Sequence, residues 1–259
     1  MRITVVTQQE PFYLPPALDE LCRIRGKDIC SIVILPSFNE SKLATAKRLY
    51  RFYGPFDFAR LVFRFTGAAI ADFVNRFYPV TRPYSAEDVS RRHGIPVYKP
   101  ANINRPDFIE TLTQGSRPDL LVSVAASQIF KKAVLEAAPL GCINLHSAPL
   151  PRYQGMMPNF WTMVHGEEAA AVTIHYMVPK LDAGDIILQK AVPILPKDSL
   201  HDLMVRSKQV GIQAMLEAIE QIERGTADRE PMDTANATYF SFPKRADAAR
   251  LRAMGRSLL

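Results

Sequence analysis

The chain has 259 residues, of which 47% are hydrophobic and 22% charged, a balance that excludes general disorder and provides for a substantial core. Its 32 Lys and Arg against 26 Asp and Glu give a net charge of +6, which suits an anionic small ligand and lacks the concentrated basic arm of a nucleic-acid binder. Cys22, Cys30 and Cys142 show no metal-type spacing, so no metal is expected, and they read as reduced thiols of a cytoplasmic protein. No signal peptide is expected at the N-terminus, and no apolar run is long enough to span a bilayer.

In chain order, residues 3–7 read as a buried strand, 16–25 as a helix, 32–35 and 96–98 as strands and 106–113 as a helix. Residues 120–125 form a continuous apolar run that suits a strand buried on both faces, followed by a helix at 131–138 and a strand at 142–145. This alternation predicts right-handed crossovers and a mostly parallel sheet, hence an α/β fold. A helix at 158–165 comes next, then strands at 171–177 and 186–192 around a Pro-Lys-Leu-Asp-Ala-Gly turn, which predicts an antiparallel edge. A helix at 199–222 and an aromatic tail ending in a helix complete the chain, so the expected division is a main unit at 1–200 and a C-terminal helix with docked tail at 201–259.

Residues 50–78 are rich in Phe and Arg. Phe58, Leu61, Val62 and Phe65 fall at i, i+3, i+4 and i+7, so a helix with one apolar face is expected. Such a basic amphipathic helix can lie on a membrane surface; the plainer expectation is a helix packed on the sheet or lining a homodimer contact.

The densest group of polar candidates lies between Asn144 and Asp185. Asn144 and His146 end a strand at positions i and i+2, so both face the same side, and ligands of open parallel sheets bind beyond the carboxyl ends of the strands. An amide that can bond a developing oxyanion, an imidazole that can move a proton and the carboxylate of Asp182 suit acyl transfer to an amine. Ser147 lies close by, yet the Gly-x-Ser-x-Gly elbow of serine hydrolases is absent. Taken singly, Asn144 reads equally as a strand-end cap, His146 as a core histidine and Asp182 as a turn residue.

The strings INLHSAPLPRYQGMMPNFW (143–161) and VTIHYMVPKLDAGDIILQKAVPI (172–194) resemble the 10-formyltetrahydrofolate-dependent formyltransferases. The shared features are a strand-end Asn-x-His, a Leu-Pro-x-x-x-Gly loop, a Thr-x-His strand at Thr173 and His175, and a Leu-Asp-x-Gly-Asp-Ile turn. The resemblance extends over 119–195 and more loosely over the chain from Met1. It implies a Rossmann-like sheet of the formyltransferase type, the co-substrate 10-formyltetrahydrofolate, and Asn144, His146 and Asp182 as the catalytic triple. Ser127, Gln128, Ile129 and Phe130 match the strand and loop that hold the pterin ring, with Ala183 and Asp185 in the turn that closes the pocket; plain core packing is the alternative for Ile129 and Phe130.

Departures bear on the acceptor. After the first strand the chain reads Thr7-Gln8-Gln9-Glu10-Pro11-Phe12-Tyr13, with none of the glycines of the glycinamide ribonucleotide members. The residues after Leu200 read as helix and tail rather than the β-domain of the methionyl-tRNA members, and the regulatory domain of the formyltetrahydrofolate hydrolases is not seen. By elimination the chain resembles the sugar-nucleotide N-formyltransferases of polysaccharide (O-antigen) biosynthesis, with GDP-perosamine the preferred acceptor on overall likeness alone. Gln8, Phe12, Tyr13, Gly155, Met157, Pro158, Trp161 and Tyr239 are then the candidate contacts to a nucleotide sugar, several of them aromatic and able to stack on a base or sugar. A methionyl-tRNA formyltransferase-like enzyme and a non-catalytic folate- or nucleotide-binding protein are the alternatives.

Overall fold

The computed structural model describes residues 1–36, 41–79 and 82–259. The chain runs through β1 (Ile3–Gln8), α1 (Leu14–Arg25), β2 (Ile29–Leu35), α2 (Lys42–Asn75), α3 (Ala86–His93) and β3 (Val97–Tyr98). It continues through α4 (Pro106–Glu110), β4 (Leu120–Val124), α5 (Lys132–Leu135), β5 (Cys142–His146), β6 (Gln154–Gly155) and α6 (Pro158–Val164). β7 (Ala169–Tyr176), β8 (Ile186–Pro193), α7 (Leu200–Arg224), β9 (Tyr239–Phe240) and α8 (Arg245–Ala253) complete it.

The main sheet has the order β3-β2-β1-β4-β5-β7-β8, parallel from β3 to β5 and antiparallel from β5 to β8. The expected α/β fold with an antiparallel edge is what forms. Alternation along the strands feeds two cores, one on each face. Ile3 and Val5 of β1 join Leu18 of α1 and Met215 of α7, whereas Val6 joins Leu121, Phe108 and Phe130 on the other face. Burial on both faces explains why apolar residues predominate at successive positions of β1 and β4, with Thr4, Thr7 and Ser123 buried among them.

Several boundaries differ from expectation for identifiable reasons. β2 begins at Ile29 rather than at 32, since the polar start of the strand is satisfied internally: Ser31 Oγ lies 2.8 Å from Thr4 Oγ1 and 3.1 Å from Ser116 Oγ. The helix expected at 106–113 stops at Glu110 and passes into a π-turn at Thr111–Ser116. The helix expected at 131–138 shrinks to the four residues Lys132–Leu135 and leaves the helical conformation at Glu136.

The Phe- and Arg-rich segment is helical from Lys42 to Asn75, with a break at Gly54 (φ 76°, ψ 172°) next to Pro55. It packs against α8 rather than on the sheet, and Phe12 meets Phe65 edge to face at 4.7 Å. Leu61 and Ala68 are buried, but the expected apolar face does not close: Val62 and Phe65 are exposed, as is a second row of apolar residues. No helix among the described residues is long and apolar enough to cross a membrane.

Candidate active site

β5 lies between parallel β4 and antiparallel β7, in a register that sets Asn144 directly across from His175. Asn144 Nδ2 is 3.2 Å from His175 Nε2, and His175 Nδ1 is 2.8 Å from the carbonyl oxygen of Tyr176. A carbonyl can only accept, so His175 donates through Nδ1 and its Nε2 accepts from Asn144. Burial, with His146 nearby, pushes His175 down to about 4, so this imidazole is neutral at neutral pH. The bond fixes which end of the Asn144 amide is nitrogen and uses one of its two hydrogens; the other is available to the cleft.

His146 is buried and donates from Nε2 to the carbonyl of Tyr153 at 2.9 Å. Its Nδ1 therefore carries the lone pair and faces Asp182 Oδ1 at 3.7 Å. That is too long for a hydrogen bond and leaves Nδ1 facing the carboxylate. Asp182 sits at φ 46°, an unusual backbone state for a residue with a side chain. Three neighbours hold it there. Its Oδ2 accepts from the Gly155 N–H at 3.0 Å, its carbonyl accepts from Gln154 Nε2 at 2.8 Å, and a Cβ on Gly184 would meet the Tyr176 oxygen at 1.9 Å, so only glycine lets the turn close.

A cleft opens here between two walls, residues 126–130 and 177–182, with Ser123, Asn144 and His175 at its base. Among the expected co-substrate residues, Gln128, Ile129 and Phe130 line it. Ile129 is exposed, whereas Phe130 also belongs to the core. Gln128 is occupied in holding the neighbouring loop: its amide donates to Ala101 and accepts from Ile103. Ser127 donates to the Pro36 carbonyl at 2.7 Å. Ala183 and Asp185 share the Asp182 turn without lining the cleft.

The expected acceptor contacts divide. Gly155 bonds Asp182 directly, and Tyr239 lies exposed against Gly155. Met157 (φ 54°) and Pro158 start α6, while Trp161 is buried, donates to Ser241 and stacks on Phe240 at 4.8 Å. Phe12 and Tyr13 instead line a separate cavity of about 500 Å³ between α1 and α7. Tyr13 is bonded to His201 there. Gln8, at the end of β1, has a buried side-chain oxygen with no partner among the described residues.

Sequence reasoning missed Tyr153 and Gln154, whose backbone oxygen and side-chain amide orient His146 and Asp182; their only signal was a place inside the Leu-Pro-x-x-x-Gly loop. It also missed Lys208, whose Nζ is 3.2 Å from Ser147 Oγ. The enclosure of that ammonium lowers Lys208 to about 8. Among the described residues no cluster of His, Cys, Asp or Glu could hold a metal ion.

β5 thus brings Asn144 and His146 to its carboxyl end in a Rossmann-like sheet, and the turn before β8 sets Asp182 opposite His146 and beside Asn144 in the cleft lining. The formyl transferase family model matches residues 63–219, more than half of the chain, and the chain belongs to that family. It is 42% identical over 153 residues to a methionyl-tRNA formyltransferase of Syntrophus aciditrophicus (strain SB), which covers 59% of this chain and 49% of the relative. A methionyl-tRNA formyltransferase of Trichlorobacter lovleyi is 35% identical over 164 residues, 63% of this chain and 52% of the relative. The chain thus spans about half the length of the curated relatives it matches.

Among solved structures, an N-formyltransferase from Helicobacter canadensis in complex with folinic acid and dTDP-3-aminofucose superposes with a TM-score of 0.61 at 15% identity, over 98% of this chain and 81% of that one. Glycinamide ribonucleotide transformylase 1 from Symbiobacterium toebii does so with a TM-score of 0.59 at 20% identity, over 90% and 93%. At such identities the likeness is one of fold.

Proposed function

We propose that this chain transfers the formyl group of 10-formyltetrahydrofolate to the amine of a nucleotide-linked amino sugar. The observation that carries formyl transfer is the convergence of Asn144, His146 and Asp182, each held by its own hydrogen bonds. The residues of the cleft suit the co-substrate, because its walls are largely apolar and its polar groups cluster at the base, as a flat heteroaromatic ring with a reactive arm requires. Residues 128–130 and 177–181 would hold that ring. The acceptor amine supplies the nucleophile and attacks the formyl carbon. The free Nδ2 hydrogen of Asn144 bonds the carbonyl oxygen as it gains charge. His146 takes the amine's proton at Nδ1, Asp182 stabilises the resulting imidazolium, and the proton passes on to the departing folate nitrogen.

The sugar-nucleotide reading is supported by Tyr239, an exposed aromatic ring beside the loop that holds Asp182 and free to stack on a base or sugar. A GDP-linked 4-amino sugar such as GDP-perosamine remains the specific acceptor we propose, on likeness alone. The second reading, formylation of methionyl-tRNA, is favoured by the 42% identity to an enzyme of that name. Purified protein supplied with 10-formyltetrahydrofolate and separate acceptors, namely GDP-, UDP- and dTDP-linked amino sugars and charged methionyl-tRNA, tests both. Turnover of an amino sugar is expected; turnover of the tRNA alone would replace this reading with the second. His146→Ala and Asp182→Ala should each lower turnover about 100-fold or more while the circular dichroism spectrum stays that of the wild type. Full activity in either variant would remove the triple from the chemistry.

A further inference from the structure

A second row of apolar residues along α2 and the turn after it lies exposed among the described residues. Phe56, Phe63, Ile70 and Phe77 are 86%, 80%, 60% and 65% exposed, and Phe73 and Tyr78 are 58% and 70% exposed. At 100° per residue, Phe56, Ala59, Phe63, Ile70 and Val74 fall within about 30° of one line along the helix, and Phe77 follows in the turn just beyond it. The two acidic residues of this stretch point elsewhere: Asp57 pairs with Arg60 and Arg252, and Asp72 with Arg76 and Ser85. At the middle of the row stand Thr66 and Gly67, both exposed.

Two features of the row select its partner. The first is Gly67, which costs a helix interior about 1 kcal/mol relative to alanine. A Cβ added there meets nothing within 4 Å, so no neighbour in the described chain uses its small size. A second helix crossing at that point would use it, whereas a lipid surface has no such need. The second feature is symmetry about the Thr66–Gly67 midpoint. Phe63 and Ile70 are equidistant from it, as are Ala59 and Val74, and Phe56 and Phe77. An antiparallel two-fold pair sets each residue opposite its counterpart of equal distance, so each apolar residue meets an apolar one and the small residues meet at the axis. The exposed aromatics and aliphatics amount to roughly 700 Å² per copy, counting about 200 Å² for a whole aromatic side chain. A stable interface takes about 800 Å² per partner.

We infer that α2 is the self-association face of a two-fold dimer in which two copies cross antiparallel at Gly67. Sedimentation of the full chain at low micromolar concentration should give a dimer. Phe63→Asp and Gly67→Trp should each give a monomer with the wild-type circular dichroism spectrum. Mild oxidation adds a positive test. Thr66→Cys should cross-link, since the two copies meet at the axis. Phe56→Cys should not, since its two copies lie about 31 Å apart along an antiparallel pair. A wild-type monomer at tens of micromolar overturns the inference, most directly if it co-sediments with phosphatidylglycerol vesicles. Equal cross-linking by both cysteine variants overturns it too, because that is the pattern of a parallel pair.

Discussion

His146 and His175 stand one strand apart and do opposite work. His175 donates a hydrogen bond from Nδ1 to the Tyr176 carbonyl and accepts one at Nε2 from Asn144, which sets the amide's direction. His146 spends Nε2 on Tyr153 and keeps Nδ1 toward Asp182. Near them Lys208 carries a different tension. Enclosure lowers it to about 8 from the usual 10.5, while the unfolded chain keeps its proton up to about 10.5. The charged form therefore reduces native stability below pH 8, and that loss is relieved as pH rises from 8 to 10.5. Lys208→Met should melt a few degrees above wild type at pH 7, with the gap narrowing by pH 10; a gap of equal size at both pH values would show that the ammonium's enclosure is not its cause. Asn144 and His146 were legible as a pair because strand periodicity alone puts i and i+2 on one side. His175 was legible only through the family resemblance, as a support from the neighbouring strand or a buried structural histidine; its bond to Asn144 depends on the β5–β7 register, which no local pattern encodes.

At the scale of elements, the site depends on a loop and a turn that lock into each other. The Leu150–Gly155 segment places the Tyr153 carbonyl on His146 and the Gly155 N–H on Asp182, and the turn before β8 brings Asp182 to meet them. Gly184→Ala would push a methyl group into the Tyr176 carbonyl. Thermal melts and assays of that variant should show a Tm several degrees lower and turnover reduced beyond what the unfolded fraction explains. Wild-type turnover would mean that the turn can shift without moving Asp182. The main strands were readable because burial on both faces leaves an apolar run. α2 was harder: the count over Phe58, Leu61, Val62 and Phe65 finds one apolar face, whereas Phe56, Phe63 and Ile70 form a second, outward row at positions that count does not include.

At the scale of the whole molecule, a continuous core links the first strand to the last residues, with Ile3, Met215, Leu251 and Leu258 in one cluster. The antiparallel edge and the parallel order were both legible from the alternation of elements. The parallel pairing of β6 with β9 was not, because two-residue strands far apart in sequence leave no periodic trace. That pairing means that the Leu150–Gly155 loop does not hold its own shape. The Gln154 amide bonds Thr238, the Met156 amide bonds Phe240, and Tyr153 leans on the Thr238 hydroxyl. Fraying of residues 237–240 would release the backbone that aims His146 and Asp182, so the tail sets the tempo at which the site comes apart. Deuterium exchange should then find the amides of Gln154 and Met156 opening in step with that of Phe240, faster than those of β5. Exchange of Gln154 and Met156 at the β5 rate would show that the loop stands without its clasp.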